Sequence, residues 1–377
     1  MSWKVWFILT VAAAAAVTVA ESRGMVRETR QASRCPVGEN CTPLTRCQPL
    51  RTLVTYRVPG WERRVRAAHC GGTPGNYRVC CPREGFPTNT TSRPGVGGEN
   101  LLPSGHQCGQ SHLLKIVFGE DVLLSGYPWM ALLGYGDRGT RNPDWRCGGV
   151  LLNDRYVLTA AHCVHRNYTV LRGIGPLVAV RLGEHVISTN PDCLKDPKLP
   201  IPCALSPQDF TPQQVIIHKD FSRRIRLSDD IALIRLDRKA TLGGPVQPLC
   251  LPPVGVDIPT FLDGRDAIVA GWGITESGKS SDILKAAKIP FVEHSVCTRT
   301  YPGQLVQEQV CFGGRGKVDS CRMDSGGPIF QVSNEPPRFV LLAILSGGLE
   351  KCGTPGAPAV YTNVDSYRQW IVDSIRP

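Results

Sequence analysis

Residues 319–328 read Asp-Ser-Cys-Arg-Met-Asp-Ser-Gly-Gly-Pro. Two glycines and a proline after Ser325 make a sharp turn that leaves its hydroxyl uncrowded, because Gly326 and Gly327 accept backbone angles that a Cβ resists. Such a serine becomes a nucleophile only when a base takes its proton, so a histidine and a carboxylate to orient it must lie elsewhere. Thr159-Ala160-Ala161-His162-Cys163 closes the apolar run Gly149–Leu158, with small neighbours and a half-cystine to pin the turn. Seven other histidines compete with His162, and that setting separates it from them. Asp230-Ile231-Ala232-Leu233 places a carboxylate at the mouth of an apolar strand, where burial without a hydrogen-bonding partner would be costly. Its neighbour Asp229 is the competing carboxylate. Serine, imidazole and carboxylate together are the chemistry of acyl transfer.

The elements that must hold these groups are short. From Ile116 to Pro377, runs rich in Val, Ile and Leu recur between turn signals: Trp129–Tyr135, Gly149–Thr159, Val178–Leu182, Gln214–His218, Ile231–Leu236, Ala267–Gly271, Phe339–Leu345 and Ala359–Asn363. No long helical period intervenes, and the pattern predicts an all-β barrel or sandwich. The exception is Val364–Ile375, where Val364, Tyr367, Trp370, Ile371 and Ile375 recur at helical spacing and predict a closing amphipathic helix.

The rest of the chain bounds the setting. Residues 1–20 carry Lys4, an apolar core from Val5 to Val17 and small residues up to Ala20, the pattern of a cleaved signal peptide rather than a membrane anchor. Sixteen cysteines fit an oxidising compartment, as do the sequons at Asn40, Asn89 and Asn167. These features predict a secreted protein with no membrane span. Six of the cysteines crowd into residues 35–81, a segment too small to bury much core and therefore dependent on cross-links. Adjacent Cys80 and Cys81 suit a zinc site poorly, and six cysteines allow fifteen pairings between which sequence alone does not choose. Residues 82–115, rich in Pro, Gly and Thr, read as a linker. Residues 21–115 hold 14 Lys or Arg against 6 Asp or Glu, a surplus suited either to plain solvation or to an anionic polysaccharide. Nucleic acid is disfavoured in a secreted chain with no binding module of that kind.

His162, Asp230 and Ser325, in that order and in those contexts, resemble the chymotrypsin-like (trypsin-like) serine proteases over Ile116–Pro377. The cysteine spacing of residues 35–81 resembles the clip domain that precedes many arthropod members. The resemblance implies a double β-barrel with a C-terminal helix, preceded by a small disulfide-rich clip domain. It implies Ser325 as nucleophile, His162 as base, Asp230 as orienting group, and the N–H groups of Met323 and Ser325 as oxyanion hole. It also implies Asp319 at the base of a specificity pocket for Arg or Lys, with Ser346, Gly348 and Ala359 around it. Lys115-Ile116-Val117-Phe118-Gly119 resembles the activation site of these zymogens, where the freed Ile116 ammonium would pair with Asp324. The disulfides implied are Cys35–Cys80, Cys41–Cys70, Cys47–Cys81, Cys108–Cys250, Cys147–Cys163, Cys193–Cys203, Cys297–Cys311 and Cys321–Cys352.

Three residues depart from the family pattern: Met323 stands for glycine in the oxyanion turn, Gly347 for an aromatic beside the pocket, and Ala359 for glycine in the pocket wall. They make a slow, selective enzyme the expectation and keep a non-catalytic cascade cofactor as its rival. No cofactor is required by this chemistry. The loop beginning Gly183-Glu184-His185 binds calcium in some relatives, and Glu184, Asn190 and Asp192 offer the hard oxygens such an ion needs, though a solvated acidic loop is the favoured reading. The partners implied are an upstream activating protease, a downstream zymogen or pro-ligand, and a serpin, in the extracellular haemolymph cascades of innate immunity, melanization or Toll-type signalling.

Overall fold

The computed structural model describes residues 35, 40–47, 65, 68–73, 76–81, 98–111, 124–137, 139–140, 142–171, 173–193, 203–274, 280–315, 324–333, 337–348 and 355–377. The chain divides into two compact units, residues 1–90 and 91–377. In the first, β1 (Asn40–Pro43), β2 (His69–Thr73) and β3 (Asn76–Cys81) form a small antiparallel sheet in the order β1-β3-β2. Disulfides Cys35–Cys80, Cys41–Cys70 and Cys47–Cys81 lace it. Among the described residues its apolar cluster comprises Cys47, Val65 and Val79, with Leu44, Ala68 and Cys81 packed against it, and cross-links supplement the core that so short a segment can bury.

The second unit holds two seven-stranded antiparallel sheets, each curled on itself. The first comprises β4 (Met130–Tyr135), β5 (Asp144–Leu151), β6 (Tyr156–Thr159), β7 (Leu177–Leu182), β8 (Gln208–Phe210), β9 (Pro212–Ile217) and β10 (Ala232–Leu236), ordered β8-β7-β4-β5-β6-β10-β9. The second comprises β11 (Ala267–Gly271), β12 (Lys285–Ile289), β13 (Phe291–Val292), β14 (Gln309–Gly313), β15 (Pro328–Val332), β16 (Phe339–Gly347) and β17 (Pro358–Asn363), ordered β12-β11-β15-β16-β17-β14-β13. Each sheet encloses its own apolar interior. A third cluster lies between them, where Trp129, Leu158 and Leu233 meet Phe330, Phe339 and Leu341. Phe330 packs edge-on to Tyr127 and Trp129, with ring centres 4.9 and 5.2 Å away.

Two sequence expectations change. The run Gly149–Thr159 is a hairpin rather than one strand: β5 ends at Leu151, and Asn153 Oδ1 accepts the N–H groups of Arg155 (2.9 Å) and Tyr156 (2.8 Å) to turn the chain into β6. The apolar run hid a turn built by one amide side chain. The closing helix spans Arg368–Ser374 and not the whole of Val364–Ile375, because a 3-10 turn, Asp365–Tyr367, precedes it. Val364, Tyr367, Ile371 and Ile375 are buried as their spacing predicts, and Trp370 is half-buried. Among the described residues no helix is long and apolar enough to cross a membrane.

Because Phe330 is fully buried where the two sheets meet, Phe330→Ala is expected to cost about 3–5 kcal/mol of unfolding free energy, read as a lower denaturant midpoint.

Candidate active site

His162 stands in a single helical turn, Ala161–Val164, directly after β6. The turn is fixed from three sides. Cys163 is bonded to Cys147 of β5, Tyr135 Oη donates to the Cys163 carbonyl at 2.7 Å, and Asp230 Oδ1 accepts the His162 backbone N–H at 2.9 Å. Asp230 enters from the start of β10 and is fully buried. Its Oδ2 lies 2.7 Å from His162 Nδ1 and accepts a second hydrogen bond from Ser346 Oγ at 2.6 Å. Thr362 Oγ1 donates to the Asp230 carbonyl at 3.0 Å. Three donors meet the hydrogen-bonding demand of this buried carboxylate, and its bond to Nδ1 orients the ring and directs Nε2 away from Asp230.

Ser325 reaches the same place through its backbone. Its carbonyl accepts Gly148 N–H at 2.8 Å, and Gly326 N–H donates to the Leu345 carbonyl, one residue before Ser346, at 2.8 Å. Gly326 lies at φ +78°, and a Cβ there would collide with Thr159 Oγ1 and the Gly148 carbonyl. The turn can therefore press on Thr159 and Ala160, the residues leading into His162, only because residue 326 is glycine.

Asp324 turns the other way. Its Oδ1 accepts Gly273 N–H at 2.8 Å, and a Cβ on either Gly271 or Gly273 would collide with its carboxylate. This glycine cradle was not read from the sequence; the Gly-Trp-Gly at 271–273 was its only signal. Near the end of β16, Gly348 lies against Ala359 of β17, its Cβ direction 3.7 Å from the Ala359 Cβ, with Ser346 buried alongside. Lys115, Ile116, Asp319, Met323, Asn89, residues 1–20 and the Cys321–Cys352 pair lie outside the described residues. The remaining disulfides, Cys108–Cys250, Cys193–Cys203 and Cys297–Cys311, are formed. Asn40 and Asn167 are both exposed.

Glu184 is tied to protein donors. Arg181 Nη1 donates to its Oε2 at 3.0 Å and the His185 N–H to its Oε1 at 2.8 Å, while burial raises its carboxyl to about 6. Arg181 is shared with Asp209 and lies over the Trp145 ring, 4.9 Å from its centre. Asp192 accepts Val186 N–H and Thr189 Oγ1 at 2.9 and 2.5 Å, and Asn190 is exposed. Calcium needs six or more oxygens directed at one point. The described residues do not fit that demand, because Arg181 already supplies the cation that Glu184 faces.

Comparison with known proteins agrees with this geometry. The trypsin family matches residues 116–371, and the regulatory clip domain of proteinases matches residues 38–81. The chain belongs to the clip-domain serine proteases. It is 36% identical to phenoloxidase-activating factor 1 of Holotrichia diomphalia, over 91% of this chain and 93% of that relative. It is 34% identical to melanization protease 1 of Drosophila melanogaster, over 89% and 90% of the two chains. The crystal structure of the Drosophila Grass clip serine protease of the Toll pathway superposes with a TM-score of 0.63 at 32% identity, covering 89% of this chain and 94% of that one. The two curled sheets are the double β-barrel of the trypsin-like enzymes, and residues 116–371 are a trypsin-like serine protease domain.

Two outcomes follow from the cradle and the ion pair. Gly273→Ala is expected to displace Asp324 and lower kcat/KM by about 10²-fold, the scale of one lost oxyanion donor, with little change in the far-ultraviolet circular dichroism. Calcium at about 10⁻³ M is expected to leave Tm unchanged in the wild type, as differential scanning calorimetry would read directly.

Proposed function

We propose that this protein is a secreted zymogen, activated by cleavage after Lys115, that hydrolyses protein substrates after Arg or Lys in an extracellular proteolytic cascade. The observation that carries the reading is the Asp230 carboxylate. It is bonded at once to the backbone and ring of His162 and to Ser346 beside the nucleophile turn.

In this reading Ser325 Oγ attacks the scissile carbonyl carbon as its proton passes to His162 Nε2. The resulting imidazolium is stabilised by Asp230, and the oxyanion is received by the N–H groups of Met323 and Ser325. The C–N bond then breaks, with the proton delivered to the leaving amine, and water repeats the sequence on the acyl-enzyme. Asp319 would take the substrate cation, flanked by Ser346, Gly348 and Ala359. Every step runs through the chain's own groups.

The zymogen reading is supported by Asp324, whose carboxylate sits against a glycine cradle next to the nucleophile and so can receive the Ile116 ammonium. Extracellular action is supported by the disulfides and by the clip domain. The relatives named for phenoloxidase activation and melanization, and the Toll-pathway Grass enzyme, support a cascade with an upstream activator and a downstream zymogen or pro-ligand; a serpin is the inhibitor such a cascade would need. Haemolymph is the compartment this implies, and the basic residues 21–115 suit an anionic polysaccharide.

The test is to cut the purified zymogen after Lys115 and titrate it with a fluorophosphonate beside a Ser325→Ala control. Labelling that appears only after cleavage and only with Ser325 is expected. Confirmed cleavage without labelling would refute the reading and leave a non-catalytic cofactor in its place.

A further inference from the structure

Asn167-Tyr168-Thr169 is a glycosylation sequon on the catalytic unit, whereas the sequons at Asn40 and Asn89 both fall in the first unit, residues 1–90. It lies on the short helix Arg166–Leu171, separated from the His162 turn, Ala161–Val164, by His165 alone. Asn167 comes five positions after His162, so the two residues stand no more than about 18 Å apart even at full extension.

The helix is fastened on one side and bare on the other. The His165 N–H donates to the Ala161 carbonyl at 2.8 Å, and the His165 carbonyl accepts the N–H groups of Tyr168 and Thr169 at 2.9 and 3.2 Å. Backbone bonds therefore run from the turn of the catalytic histidine directly into the helix. Tyr168 Oη bonds Ser222 Oγ at 2.8 Å, and its ring centre lies 5.2 Å from that of Phe221. Thr169 is buried, and its Oγ1 donates to the Arg166 carbonyl at 3.2 Å. The other face carries Arg166, Asn167 and Val170, all exposed. Val170 is 55% exposed, and it follows Asn167 by three positions, the spacing that sets two side chains side by side on a helix. An acceptor amide thus stands beside an uncovered apolar side chain, on a helix pinned from behind.

We infer that Asn167 carries an N-linked glycan that covers Val170 and screens the active site against large partners while leaving small ones free to enter. The inference rests on the secreted-protease reading and adds to it a rule of selection by size. The group arrives by transfer from a lipid-linked oligosaccharide diphosphate. The Asn167 amide nitrogen bonds the anomeric carbon, the C–O bond to the diphosphate breaks, and one amide proton is lost to a base. The product is bulky and hydrated. Its root cannot move away from the site unless the helix unpacks from Phe221 and Ser222.

The full chain would be secreted from insect cells, activated, and compared with Asn167→Gln and with wild type stripped of glycan enzymatically after folding. Peptide mass spectrometry is expected to find Asn167 glycosylated. Loss of the glycan should leave labelling by a small fluorophosphonate unchanged. It should raise the association rate of a Kunitz-type inhibitor protein about tenfold, within the range over which on-rates of related complexes vary. The stripped wild type should match Asn167→Gln, which separates screening from any defect acquired in folding. Val170→Ser should lower Tm in the glycosylated protein and leave it unchanged in Asn167→Gln, because the contact it removes exists only with the sugar. An unmodified Asn167 would overturn the inference outright. Inhibitor association that is equal with and without the glycan, or a small probe that gains as much as the large one, would overturn the screening. An equal fall in Tm from Val170→Ser in both backgrounds would overturn the covering. An enzyme that never labels defeats the protease reading, yet occupancy and melting need no catalysis and still decide whether the glycan is there and what it covers.

Discussion

One buried carboxylate organises the active site of the second unit. Asp230 is fully removed from water, and an ionised carboxylate in that position is tolerable only when its oxygens are saturated with donors. The donors come from different parts of the fold: the backbone and ring of His162 after β6, and the hydroxyl of Ser346 on β16. His162 serves both oxygens from within the first sheet, and the second sheet adds the Ser346 bond and the Thr362 bond to the Asp230 carbonyl. Burying Asp230 therefore also helps couple the sheets, and separating the two halves would cost the carboxylate its third donor.

Around that charge, packing does the positioning that polar contacts cannot. The nucleophile turn rests on Thr159 and Ala160 through Gly326, and the histidine turn is held by Cys147–Cys163 and Tyr135. Behind both lies the aromatic cluster of Trp129, Phe330 and Phe339, which leaves the sheets little freedom to slide. On the far side of Ser325, Asp324 faces a second glycine cradle. Adjacent residues thus serve two different glycine-lined surfaces, and a shift of their shared backbone would be felt at both.

Much of the site was legible in the sequence because catalysis forces rare residue types into short, ordered contexts. His162 before a half-cystine, Asp230 opening an apolar strand and Ser325 before two glycines each carried a local signal. The fold was legible more coarsely. The strand β12, Lys-Ala-Ala-Lys-Ile, has little strand character of its own and takes it from its neighbour β11. The hairpin within Gly149–Thr159 was hidden because both of its strands are apolar, and only the short Asn153-Asp154-Arg155 break marks the turn. The ion-paired cluster of Arg224, Asp229 and Glu308 was illegible for another reason: its members lie up to 84 positions apart and resemble ordinary surface charges until the chain folds. The calcium expectation at Glu184 arose from a loop sequence that does not reveal Arg181 beneath it.

The bond between Cys108 and Cys250 joins the segment before Lys115, the proposed cleavage point, to the linker between the two sheets. Activation at Lys115 would then be a covalent cut without a release. The product would be a two-chain molecule that diffuses as one body, and whatever surface the clip domain occupied would become the address at which the new enzyme begins to work. Spread of the signal would be governed by how long that attachment lasts rather than by how fast a freed protease moves through the fluid. On that reading one disulfide would set the spatial range of the reaction, away from the residues that carry it out.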